Sequence, residues 1–144
     1  MTPAEITALR LDKPQEFDAL VAQHVFGWRW VPAVTDGVYV LAAPFDSDLF
    51  RNEARNDVPN DARLAPFGGP AYCSDPAADL ECHRKCKRDL AMPYFRHLGL
   101  ILSNRLFERT DTGTRADWPL RWLEAYEVGD YAQAALTVME EQHA

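Results

Sequence analysis

Residues 74–90, Ser-Asp-Pro followed by AADLECHRKCKRDL, constrain this chain more than any other stretch. Asp75 offers an oxygen to the free N–H groups of a first helical turn, and Pro76 fits the position where a missing N–H costs nothing. Asp79 and Glu81 favour the positive end of the helix dipole, whereas Arg84, Lys85, Lys87 and Arg88 favour the negative end. Ala78, Cys82, Cys86 and Leu90 recur every four residues, which leaves one narrow apolar stripe to be buried. The pattern predicts a helix over 75–90 that needs cover from the rest of the chain.

That cover is available. The chain has 144 residues, 47% of them hydrophobic and 11% aromatic, enough for one domain with a real core. Pro14 begins a helix whose apolar face is Phe17, Leu20, Val21 and Val25, with Gly27 as its stop, so a helix is expected over 14–26. Residues 1–13 are expected to be an N-terminal arm or a helical turn, with Ile6, Leu9 and Leu11 available for docking. Trp28–Val31 and Val38–Leu41 favour strands, and Asp36-Gly37 between them marks the turn of a hairpin. Residues 44–70, punctuated by prolines and glycines, are expected to form a long loop insertion with a short helical turn at Asp48–Arg51. A loop of that length in a compact domain draws attention as a functional segment.

Residues 95–106 carry two patterns. Phe95, Leu98, Leu102 and Leu106 suit a helix. Gly99 in mid-segment and the branched Ile101, amid alternating leucines, favour a strand, which is the expectation adopted. Residues 110–114 are turn-forming, Trp122–Tyr126 reads as the returning strand, and Asp130 is expected to cap a last helix bearing Tyr131, Ala134, Ala135, Val138 and Met139. The order α-β-β-α-β-β-α implies an α+β fold, a three-layer sandwich in which helices cover a small antiparallel sheet.

Three segments resemble the phage "ABA sandwich" domain family, found in phages and prophages. Ala19-Leu20-Val21-Ala22 through Phe26-Gly27-Trp28-Arg29-Trp30 is similar to its opening segment. Pro70-Ala71-Tyr72-Cys73-Ser74-Asp75-Pro76-Ala77-Ala78 is similar to its central one. Trp122-Leu123-Glu124-Ala125-Tyr126 and the alanine-rich stretch 132–139 resemble its closing strand and helix. Two departures stand out: 44–70 is longer than usual, and Cys73-Ser74-Asp75 replaces Ser-Thr-Asp. The resemblance implies the sandwich fold and a phage origin. It implies no established activity and transfers no catalytic residues.

Chemistry has few footholds. Cys82 and Cys86 lie one helical turn apart with His83 beside them, but a structural zinc site needs four ligands. Both read better as small buried hydrophobes, so no metal and no cofactor is expected. None of His24, His83, His97 or His143 sits in a nucleophile–base signature, and Ser47, Ser74 and Ser103 lack a nucleophile elbow. No phosphate-binding glycine motif occurs. No catalytic residue is assigned and no enzyme is expected; a hydrolase or metal site on Cys82, His83 and Cys86 is the third reading. Three cysteines without a framework spacing fit a reducing compartment. No apolar run approaches a membrane span and no secretory signal opens the chain, so the cytoplasm of a host bacterium is expected.

Charge is the stronger cue. The net charge is -7, from 15 Lys and Arg against 22 Asp and Glu, and the isoelectric point is about 5.0. That balance argues against direct nucleic-acid binding. Asp46, Asp48, Glu53, Asp57 and Asp61 dot the long loop, and Glu124, Glu127, Asp130, Glu140 and Glu141 follow the last arginine. Such a surface can occupy a groove that holds DNA or RNA by placing carboxylates where phosphates would sit, although ordinary solubility also calls for a net charge. Trp28 reads as core, and Trp30 and Trp118 as exposed anchors. The expectation is a phage or prophage accessory protein acting by non-catalytic binding. Most concretely, it is a counter-defence, anti-CRISPR-like inhibitor of a host defence protein or nucleoprotein complex, contacting it through those loop carboxylates, Trp30 and Trp118. Homodimerisation is left open. The alternative is a sponge for a small nucleotide messenger, held by Trp30 and by Arg84 and Arg88 on one face of their helix, beside loop 44–70.

Overall fold

The structure, a computed structural model, describes residues 1–108 and 123–143. Thr2 accepts the Glu5 N–H at 3.2 Å and Pro3 takes the first helical position, so α1 runs Pro3–Asp12. The expected arm is therefore a docked helix: Ile6 is fully buried, Leu9 packs on the core and Leu11 is left exposed. Helix α2, Pro14–Phe26, has the expected bounds. It ends where Gly27 turns left-handed at φ 74° and gives its N–H to the Ala22 carbonyl.

A hairpin follows. β1 (Arg29–Pro32) pairs antiparallel with β2 (Val38–Ala42), Trp30 opposite Leu41. Residues 44–70 are not a free loop. They carry α3 (Asp48–Glu53), capped by Ser47 accepting the Phe50 N–H. Arg55 then bridges the outer edge of β1, exchanging backbone hydrogen bonds with Trp30 at 2.8 and 2.9 Å. The chain next crosses to the other side of the hairpin. There β3 (Arg63–Leu64) pairs in parallel with β2, Val38 opposite Arg63. The segment thus satisfies backbone groups on both open edges of the hairpin, edges that would otherwise invite pairing with another chain.

Helix α4 (Pro76–Asp89) forms as its caps require, Asp75 accepting the Ala77 N–H at 3.1 Å. It buries Ala78, Cys82 and Cys86. The expected strand over 95–106 is instead α5, Met92–Glu108. Tyr94, Leu98, Leu102 and Leu106 are its buried residues, and this four-residue stripe outweighs the weak local preferences of Gly99 and Ile101. The expected returning strand also fails, since residues 123–125 are helical. The turn at 110–114, Trp118 and Trp122 lie outside the described residues.

The last helix, α6 (Asp130–Gln142), is the hub. Every residue from Ala132 to Val138 is buried, and the helix packs against α1, α2, α4 and α5. A helix apolar around much of its circumference belongs in the middle of a bundle, and small Ala132, Ala134 and Ala135 let its neighbours approach. Gly129, not Asp130, holds the cap position; Asp130 is the first helical residue, and its side chain accepts the Glu127 N–H at 2.8 Å. Among the described residues the fold is mixed and mostly helical, with one three-stranded sheet whose third strand is parallel. The described order is α-α-β-β-α-β-α-α-α, in place of the expected α-β-β-α-β-β-α. Among the described residues no helix is long and apolar enough to cross a membrane.

Candidate functional site

Asp46, Asp48, Glu53, Asp57 and Asp61 are all exposed. They ride on the segment that grips the hairpin, which a side chain of α2 also ties down: Gln23 donates to the Asn56 carbonyl at 2.8 Å. The carboxylates are therefore displayed on an ordered frame. Asp46 and Asp48 share Arg51, which pairs with both. Five carboxylates against Arg51, Arg55 and Arg63 leave a net charge of -2 over 44–70. Exposed Phe45, Leu49 and Leu64 are interleaved with them. Trp30 is half-buried and packs on the core, as Trp28 does through its edge contact with Phe67. Trp30 is thus a flank of this surface, not a free platform.

The later acidic residues separate. Asp130 is fully buried and leaves the surface set. Glu140 pairs with the chain's amino group and His24, and Glu141 with His97 at 2.8 Å. Glu124 and Glu127 stay exposed, Glu127 lying 3.5 Å from Arg105.

The basic cluster is solvated. Arg84 pairs with Glu81, and Arg88 with Asp89, each with most of its side chain in water. Neither these arginines nor Trp30 line either of the two cavities described below. The cysteines belong to the packing. Cys82 and Cys86 are fully buried, and burial pushes both thiols up, Cys86 to about 11. Burial and a hydrogen bond to Asp18 raise Cys73 to about 11 as well. A thiolate, the form that attacks or ligates, is disfavoured at all three. His83 turns from the cysteines towards an aromatic cluster.

Two carboxylates that sequence reading assigned to helix dipoles or caps are instead buried junctions. Asp79 of α4 accepts the Ala132 N–H at 2.8 Å and the Tyr126 hydroxyl, so it caps the first turn of α6 from a neighbouring helix. Its carboxyl is pushed up by burial, against the hydrogen bonds it accepts. Asp130 receives Arg10 at 2.8 Å and both terminal nitrogens of Arg105. Burial opposes its charge, but Arg105, the Glu127 N–H and Arg10 outweigh that and hold the carboxyl below the usual range. Asp79 falls three residues before Cys82, on the buried side of α4; that offset is the sequence signal that marks it.

Two cavities adjoin these junctions. A groove of about 770 Å³ lies between α1, α5 and α6, with Arg10, Arg105 and Gln133 among its lining and His97 and Asn104 along α5. Its two guanidiniums are committed to Asp130, Gln133 and backbone carbonyls. A smaller cavity of about 360 Å³ is walled by His83, Phe95, Leu98, Leu102, Tyr126 and Tyr131, with Gly99 and Leu123 completing it.

Comparison with models of known protein families, with curated proteins and with solved structures gives no match.

Proposed function

We propose that this protein is a phage or prophage accessory protein that works by binding, and that its acidic frame docks on the basic, nucleic-acid-binding surface of a host defence complex such as a CRISPR effector. Kinship with the ABA sandwich family, three-layer arrangement included, is part of that proposal. One observation supports it above the others: five exposed carboxylates stand on a segment anchored at both edges of the hairpin. A carboxylate held in place competes with a phosphate for a cationic groove without first losing the conformational freedom of a loose loop. Exposed Phe45, Leu49 and Leu64 between them supply the apolar contact that charge alone lacks. The net charge of -7 steers the whole molecule towards a basic partner.

The test is competition. Purified effector complexes are titrated with labelled target DNA in the presence of this protein, at low and at physiological salt. Loss of DNA binding that weakens as salt rises, and that is abolished by the triple reversal of Asp46, Asp48 and Asp57 to lysine, is the expected result. Equal DNA binding with the protein in excess, across the candidate complexes, sinks the proposal.

A further inference from the structure

We propose that the cavity between α4, α5 and the start of α6 is a binding site for a flat, uncharged heteroaromatic ring, a site independent of the acidic frame. Three of its wall rings lie against one another, and Phe95 stands edge-on to His83 at 79°. Tyr131 lies against His83, centroids 4.3 Å apart and planes 30° apart, and against Tyr126, at 4.6 Å and 27°. Phe95 and the α5 leucines close the other side. A stacked pair such as Tyr126 and Tyr131 accepts a planar ligand as one more layer.

The polar inventory narrows the class. Among the described residues, no Asp, Glu, Lys or Arg lines the cavity, so none of them would compensate a charged group buried there. The Tyr126 hydroxyl is taken by Asp79, and His83 Nδ1 by the Tyr94 hydroxyl at 2.7 Å. The Tyr131 hydroxyl and His83 Nε2 make no hydrogen bond to another described residue. Two polar atoms on lining residues, with no partner among the described residues, match a ring with a hydrogen-bonding edge. They do not match a sugar or a peptide, whose many polar groups would lose water without replacement. Gly99 adds a second line. It sits inside a helix of 17 residues and on the cavity wall. Glycine is a poor helix former, and a large side chain at this wall position would take space from the cavity. Lys87, one turn along α4 from His83, is exposed and available to a phosphate carried outside the slot.

Calorimetric titration of the full chain with adenosine, uridine, AMP and indole tests this. Saturable single-site binding of at least one probe is expected. Gly99→Leu should weaken it by about tenfold or more, with far-UV circular dichroism unchanged. Tyr131→Phe keeps the ring and removes one hydrogen bond, so binding should fall roughly twofold to tenfold; this variant carries the test if Gly99→Leu does not fold. AMP tighter than adenosine identifies a nucleotide as the source of the ring, and equal affinities identify a nucleoside or free base. No saturation by any probe at millimolar concentration overturns the proposal. So does a probe that binds both variants as it binds the native chain.

Discussion

Arg10 and Asp130, 120 residues apart in sequence, meet at 2.8 Å where α1 crosses the start of α6. Arg105 reaches the same carboxylate from α5, so one buried anion joins three helices. A buried ion pair is a weak source of net stability, but breaking it from one side leaves charge without a partner. Asp130→Asn leaves two guanidiniums, each at least four-fifths buried, with a neutral amide. A loss of about 3–5 kcal/mol is expected in urea unfolding. A loss below about 1 kcal/mol, the value of a surface pair, would show that water already screens the junction.

The same junction fixes the residue before it. Gly129 has φ 102°, and a Cβ there would stand 2.8 Å from an Arg10 nitrogen. Gly129→Ala combines a backbone angle that L-residues avoid with a steric push on the guanidinium. Destabilisation of about 1–3 kcal/mol follows from the backbone alone. Because Arg10 is displaced, the double variant Gly129→Ala with Arg10→Ala should lose less than the sum of the two singles. Strict additivity in a double-mutant cycle would show that the two sites do not touch.

Asp79 is the opposite case. Its carboxyl is raised by burial, so in the window from the unfolded value of about 3.9 up to the native value the folded chain holds the extra proton. Stability from this group is therefore full at low pH and declines as pH rises through that window. Asp130, held low, contributes above the unfolded value and loses its contribution as pH falls through the native one. Asp79→Asn keeps an acceptor for the Ala132 N–H and presents an amide to the Tyr126 oxygen. At pH 7 it should cost less than about 1 kcal/mol. The difference in stability between variant and native chain should shift in the variant's favour from pH 4 to 7. Parallel pH profiles would contradict this.

The helices that carry their own punctuation are legible in the chain. Pro14 with Gly27, and Asp75-Pro76 with its four-residue stripe, fix α2 and α4 almost to the residue. The hairpin is legible for the same reason, since Asp36-Gly37 sets its turn. What escapes is settled by distant partners. Residues 95–106 fit two periods, and only the burial of Tyr94, Leu98 and Leu102 once α5 packs on its neighbouring helices decides for the helix. The arginines at Asp130 show no local pattern, because their meeting depends on three helices being assembled. The aromatic cavity draws on residues 83, 95, 126 and 131, which no spacing rule connects. Segment 44–70 reads as a loop because its pairings are a single bridge and a two-residue strand, too short to leave a period.

That brevity makes the segment's anchorage testable. Arg55 gives its N–H to the Trp30 carbonyl at 2.9 Å and receives the Trp30 N–H at 2.8 Å. Arg55→Pro removes the first bond and sets a ring against the edge of β1, where proline is tolerated only with its nitrogen facing solvent. Losing one backbone hydrogen bond, about 0.5–1.5 kcal/mol, raises the population of the opened segment by roughly twofold to tenfold. Cleavage by trypsin at Arg51 and Arg63, under conditions where opening is fast, should accelerate by the same factor, while the helical core stays intact. Gln23→Ala, which frees Asn56 from α2, should give a smaller acceleration of the same cleavages. Unchanged rates in both variants would mean that 44–70 is held by its other contacts. The carboxylates at 46, 48 and 57 would then owe their fixed display to α3 and β3 instead of to the Arg55 bridge.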